Sequence, residues 1–200
     1  MSRPICPKCH YPQTACLCDR LRPMSTRVEC IVLQDPNEVK QAKNSVKLMR
    51  AVLDNLQIHV GETPEDFAEL RGYLERQQKP VFLLYPSEAS HNLSEMQAPS
   101  DAILLLLDGT WRKAYKLLQL NLWLKQYPGV HLELEQATNY TIRKAKREDS
   151  LSTLEAAAMA ISCLDKQCDT SPLTEALAAL VEQHLSAMPA EIKLRYLSQK

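Results

Sequence analysis

Two hundred residues, 45% of them hydrophobic, are enough to bury one substantial core, so the chain suits one main domain with a small appendage. Lys plus Arg and Asp plus Glu both number 24, so no overall charge selects a nucleic-acid or membrane partner. No apolar run is long enough to span a bilayer, and the N-terminal MSRPICPKCH lacks the apolar centre of a secretory signal, so a cytoplasmic protein with no membrane partner is expected.

The first 25 or so residues, rich in Cys, Pro and Arg and without apolar periodicity, read as a knuckle attached to the main domain. Cys6-Pro-Lys-Cys9 and Cys16-Leu-Cys18 place four thiols within thirteen residues. That spacing suits tetrahedral zinc, because a metal can order a segment too short to bury a core. Four sulfurs leave no open coordination position, so the zinc would be structural; reduced or redox-active thiols are the alternative. His10 is a loop histidine, and Cys30, Cys163 and Cys168 fit small core residues.

Val28 to Leu33 is the first strand. Apolar spacing from Val39 through Val46, Met49 and Leu53 to Leu56 predicts a helix, and a second starts after Thr63 with Pro64 in its first turn. Val81 to Tyr85 and Ala102 to Leu107 are short continuous apolar runs, the signature of strands buried on both faces and hence parallel. A helix follows from Trp111, then a weak strand at Val130 to Leu134 and a polar, basic loop over about 136–150. Helices at roughly 152–166, 172–187 and 189–198 close the chain. Strands alternating with helices imply an α/β fold with a mostly parallel sheet flanked by helices.

Asp108-Gly109-Thr110-Trp111 joins a buried strand to a helix, which puts a carboxylate at the carboxyl end of a strand, where open α/β sheets place their ligands. Asp108 or Thr110 also fits an N-cap, so capping and chemistry stay open. Trp111, Tyr115 and Leu118 share one helical face, which favours a core tryptophan. Leu84-Tyr85-Pro86-Ser87 is a second polar turn that such a sheet brings to the same edge. Ser152 followed by Glu155 is a capping box, and that helix N-terminus is equally an anion site. Four glycines, at 61, 72, 109 and 129, exclude a dinucleotide fingerprint and a phosphate loop.

Charge is uneven beneath the zero sum. Residues 1–50 hold nine Lys/Arg against four Asp/Glu, and 101–150 hold eight against six, including Arg143, Lys144, Lys146 and Arg147. One positive face for a phosphate-rich partner and a set of solvated mixed surfaces both fit this distribution.

Three motifs occur in order: Cys6-x2-Cys9-x6-Cys16-x-Cys18, then Asp108-Gly-Thr-Trp111, then Tyr140-Thr-Ile-Arg143-Lys144 leading to Leu151-Ser-Thr-Leu-Glu-Ala156. Together they resemble the DTW-domain family of tRNA-uridine aminocarboxypropyltransferases, over residues 4 to 165. Leu84-Tyr-Pro-Ser87 and Asn121-Leu-Trp-Leu124 resemble that family's pattern as well. Asp35-Pro-Asn-Glu38 departs from it, with Asp35 where the family has His, while Glu38 and Asn44-Ser45 fit.

The resemblance implies a zinc knuckle over 1–26 and a catalytic domain over 27–200, related to the SPOUT methyltransferases and knotted in its C-terminal part. It implies S-adenosylmethionine as donor, tRNA as partner, and transfer of the 3-amino-3-carboxypropyl group to N3 of a uridine in the variable loop. Leu84, Pro86, Ser87, Leu107, Thr110, Trp111, Ser152, Thr153 and Glu155 are then where the donor would rest, with Arg143 for its carboxylate. Asp108 would be the base for N3 or an anchor for the donor's amino group. The knuckle's Arg3, Lys8, Arg20 and Arg22, with Lys144, Lys146 and Arg147, would face tRNA phosphates. A methyltransferase of the same fold and a non-catalytic zinc-containing RNA-binding protein are the rival readings.

Overall fold

The structure is a computed structural model that describes residues 4–41, 44–133, 151–186 and 188. Six strands form one sheet: β1 (Glu29–Gln34), β2 (Leu56–Val60), β3 (Val81–Leu84), β4 (His91–Asn92), β5 (Ile103–Asp108) and β6 (Gly129–His131). Their spatial order is β2-β1-β5-β3-β6-β4, and every pairing is parallel. Five helices flank them: α1 (Val46–Val52), α2 (Ala68–Glu75), α3 (Trp111–Leu120), α4 (Thr153–Leu164) and α5 (Ser171–Ser186).

Strand residues point alternately to opposite faces, and the core divides accordingly. Cys30, Val32, Leu104 and Leu106 join Val46, Met49, Leu154, Ile161, Leu173 and Leu177 beneath α1, α4 and α5. Ile31, Leu33, Ile103 and Leu105 join Phe67, Leu70, Leu74, Leu117 and Leu118 beneath α2 and α3. Burial on both faces is why β1 and β5 are near-continuous aliphatic runs.

The knuckle belongs to the first of these cores, which takes in Cys6, Cys9, Tyr11, Leu17 and Met24. Met24 N–H donates to the Val52 carbonyl at 2.8 Å, and the Tyr11 hydroxyl donates to the Asn44 carbonyl at 3.1 Å. Arg20 pairs with Glu182, and Arg22 lies 3.3 Å from Glu175 and 3.7 Å from Asp169. These two arginines therefore tie the knuckle to α5 and its approach instead of standing open for phosphate.

The helix expected from Val39 to Leu56 is shorter. Asn44 Oδ1 accepts from the Val46 and Lys47 amides at 2.8 and 3.3 Å, which starts the helix there, and Leu53 ends it in extended backbone. Leu56 opens β2, an edge strand whose residues are half-buried or exposed, so its apolar positions merge with the helical spacing before them. Residues 134–150, which hold the expected basic loop and part of the C-terminal region expected to be knotted, and 189–200, where a last helix is expected, fall outside the described residues. No described helix is long and apolar enough to cross a membrane.

Candidate active site

Because the strands are parallel, the segments that follow β1, β3 and β5 emerge at one edge of the sheet. The centre of that edge is Asp108, the last residue of β5, in register with Gln34, the last residue of β1. The chain leaves β1 for β2 on one side and returns through β3 and β5 on the other, so this edge is a topological switch point.

Asp108 is 6% exposed and does not cap the helix after it. Thr110 does that, accepting from the Lys113 amide at 3.4 Å. The Asp108 carboxylate turns the other way: Oδ2 accepts from Gln34 Nε2 at 2.7 Å and Oδ1 meets the Thr153 hydroxyl at 2.5 Å. Burial pushes its pKa above the ordinary carboxylate value; the Gln34 and Thr153 hydrogen bonds pull it back, and the Glu38 charge adds to the rise. An amide NH2 can only donate, so Oδ2 is always an acceptor, and any proton Asp108 carries sits on Oδ1.

A charged cluster closes one side. Lys113 Nζ lies 2.7 Å from Glu38 Oε1 and 3.5 Å from Asp35 Oδ1, and the Asp35 amide donates to the Asp108 carbonyl at 3.1 Å. The aspartate found where the family pattern has histidine thus serves an ion pair with α3. A side chain at Gly109 would bring its Cβ to 2.9 Å from Lys113 Cβ, so the turn that seats Lys113 needs a glycine for space.

On the α4 side, Ser152 Oγ accepts from the Glu155 amide and Glu155 Oε2 from the Ser152 amide at 2.7 Å. These two side chains complete a capping box, and Thr153 is the residue of this segment that reaches Asp108. Leu84 ends β3, and Pro86 and Ser87 lie in a turn held by Ser90 Oγ, which meets the Ser87 amide at 2.9 Å and the Ser87 carbonyl at 2.7 Å. Leu107 packs partly buried on the α2–α3 face. Trp111 is not a core residue. It is 45% exposed and meets Tyr85 edge-on at 6.2 Å, because the buried stripe of α3 runs through Ala114, Leu117 and Leu118 and leaves the first turn uncovered. Arg143 lies outside the described residues.

The cysteine cluster is a separate centre. The sulfurs of Cys6, Cys9, Cys16 and Cys18 all lie within 4.8 Å of one another, with Cys6 to Cys18 at 3.5 Å and Cys9 to Cys16 at 3.8 Å. A tetrahedron of zinc–sulfur bonds about 2.3 Å long has edges of about 3.8 Å, so the four donors fit one closed ion. Without a metal, backbone amides of Cys9 and Lys8 hold the Cys6 thiol down at about 6, whereas hydrogen bonds with Cys16 and Cys6 push Cys18 up to about 12, so the four thiols share protons that a metal would displace. His10 is exposed, with a left-handed φ of 57°, and the four-sulfur group does without it.

The family model of the DTW domain matches residues 3–185. The chain belongs to the DTW domain family. Among curated proteins, tRNA-uridine aminocarboxypropyltransferase 2 of Mus musculus is 30% identical over 186 residues, 89% of this chain and 62% of the mouse protein. The proteins of that name from Macaca fascicularis and Drosophila melanogaster are each 29% identical, over 82% and 81% of this chain and 57% and 67% of their own lengths. This DTW chain thus spans about three fifths of the mouse and macaque proteins. No solved structure matches it.

Within the DTW site, Gln34 and Lys113 are the functional candidates that motif reading misses. Gln34 had a signal: a polar residue closing an otherwise aliphatic strand. Lys113 had none beyond its place one turn after Thr110.

Proposed function

We propose that this protein is a tRNA-modifying transferase that moves the 3-amino-3-carboxypropyl group of S-adenosylmethionine to N3 of a uridine in tRNA, within the variable loop. The observation that carries the reading is a buried Asp108 at the switch point, held by Gln34 and Thr153 and freed from capping by Thr110. Membership of the DTW family and the printed names of the relatives support the substrate class.

The donor, when bound, supplies a carbon made electrophilic by a neutral thioether leaving group. Its fit rests on an apolar and hydroxyl-bearing rim from two adjacent strand ends, Leu84 with Pro86 and Ser87, and Leu107 with Thr110, with Trp111 beside them. Ser152, Thr153 and Glu155 shape the far wall, and Arg143 is assigned to the donor carboxylate. Uridine N3 attacks well only after losing its proton, so Asp108 is assigned as the base. The burial that raises its pKa makes it a stronger base than a solvated carboxylate, and the donors at both oxygens fix its plane. Zinc is assigned to Cys6, Cys9, Cys16 and Cys18 as a structural ion that orders the knuckle.

Incubation with S-adenosylmethionine and unmodified tRNA tests the reaction through the sulfur by-product. Methylthioadenosine is expected, lost in Asp108→Asn with tRNA binding retained. S-adenosylhomocysteine would mean methyl transfer, and release of neither would leave a binding protein.

A further inference from the structure

Trp111, placed beside the donor rim above, also belongs to an exposed aromatic cluster whose other two rings, Tyr85 and Tyr115, are used by none of the steps above. Tyr115 is 56% exposed and Trp111 is 45% exposed, one helical turn apart on α3. Tyr85, in the turn after β3, meets Trp111 at 6.2 Å with the ring planes at 68°, and after burial it is the neighbouring Tyr115 that pushes its phenol up. Three rings from two strand-end segments therefore form a ledge at the ligand edge of the sheet. Soluble proteins have little reason to leave two large aromatics open on one helix turn unless something covers them.

The charge around the ledge chooses the partner. Helix α3 carries Arg112, Lys113 and Lys116 and no acidic residue. Lys113 and Lys116 are paired with Glu38 and Glu62, whereas Arg112 is exposed and makes no ion pair among the described residues. Open π-faces beside an unneutralised guanidinium suit a base and its phosphate, since sequence-tolerant binding of single-stranded RNA combines stacking on aromatics with cationic contacts. The apolar turns of Leu84, Pro86 and Leu107 already provide for the donor's nucleoside.

We infer that Tyr115, Trp111 and Tyr85 form a stacking ledge for an unpaired base of the RNA, with Arg112 on the adjoining phosphate. The inference deepens the transferase reading and rests on its RNA substrate. The ledge lies on the α2–α3 face of the sheet and the Asp108 side chain on the α1–α4 face. The stacked base is therefore a neighbour of the reacting uridine, held so that the uridine itself reaches Asp108.

The test is binding of unmodified tRNA and of an unstructured oligouridylate to the full chain at one fixed salt concentration. Tyr115→Ala is suitable because the position is exposed and alanine suits a helix. It should weaken RNA binding about 5- to 150-fold, the range for loss of one base–aromatic stack, while S-adenosylmethionine affinity stays within about twofold. Tyr115→Phe should restore binding and Tyr115→Leu should not. In Trp123→Phe protein, which keeps Trp111 as its one tryptophan, oligouridylate should quench fluorescence more than duplex RNA does.

RNA affinity unchanged in Tyr115→Ala overturns the inference. So does a fall in donor affinity with RNA affinity intact, which gives the ledge to the donor, or dissociation of a wild-type dimer with RNA affinity intact, which gives it to a second copy. Wild-type protein that binds RNA through Tyr115 yet releases no methylthioadenosine keeps the ledge and removes the transferase reading.

Discussion

Replacing Gln34 by Leu tests how Asp108 is held. The side chain is 5% exposed and its amide lies 2.7 Å from Asp108 Oδ2, so leucine keeps the volume and leaves a buried carboxylate oxygen without its donor. A hydrogen bond to a charged acceptor contributes about 1.5–3 kcal/mol. Since one pKa unit corresponds to about 1.36 kcal/mol, the Asp108 pKa should rise by about 1 to 2 further units. Asp108 already sits above the ordinary carboxylate range, so the folded state binds its proton more tightly than the unfolded state does. Stability from this group is therefore full at low pH and is lost as pH rises from the unfolded value through the folded one. Gln34→Leu widens that interval, so it should cost more stability at neutral pH than at acid pH. The acid limb of kcat should move to higher pH by the same amount. Gln34→Glu, which sets a second carboxyl against the first, should move it further. Turnover against pH and urea melts at two pH values measure both. An acid limb that stays in place in both variants would refute the account of Asp108 as a titrating base held by Gln34.

Three further outcomes are expected. Ser152→Ala breaks the capping box and should lower stability by about 1 kcal/mol in a thermal melt, with donor affinity falling if the α4 N-terminus also positions Thr153. Freshly purified, reduced protein should contain about one zinc per chain; chelation or Cys9→Ser should lower Tm, since the knuckle's buried residues are part of the main core. Asp165 is buried and held below the ordinary carboxylate range, first by the Arg27 guanidinium at 2.7 Å. Its contribution is present above the unfolded value and is lost as pH falls through the folded one. Asp165→Asn should therefore cost about 1 kcal/mol at neutral pH, and the gap should close in acid denaturation profiles.

The parallel strands were legible because residues buried on both faces cannot afford polar alternation, and β3, β5 and the centre of β1 are continuous apolar runs. β2 was not: Leu56 and Val60 continue the apolar spacing of the preceding helix, and only the short reach of α1 separates them. The two residues of β4 carry no pattern. At the site, Asp108 stood out through its place after a buried strand, yet its release from capping depended on Thr110 taking that duty. Trp111 was misjudged because the buried stripe of α3 runs through Ala114, Leu117 and Leu118 and leaves Trp111 and Tyr115 on its exposed flank. Its neighbour Tyr85 comes from a distant turn.

The knuckle's tie to α5 sets an order of events in synthesis. Arg20 and Glu182 stand 162 residues apart, so the cysteines leave the ribosome long before the helix they dock against. At 5–20 residues per second the wait is on the order of ten seconds or more. During that time a metal ion held by the four thiols would order the knuckle and shield them from oxidation. An ion held there would act as a chaperone for its own segment, bound early and seated last.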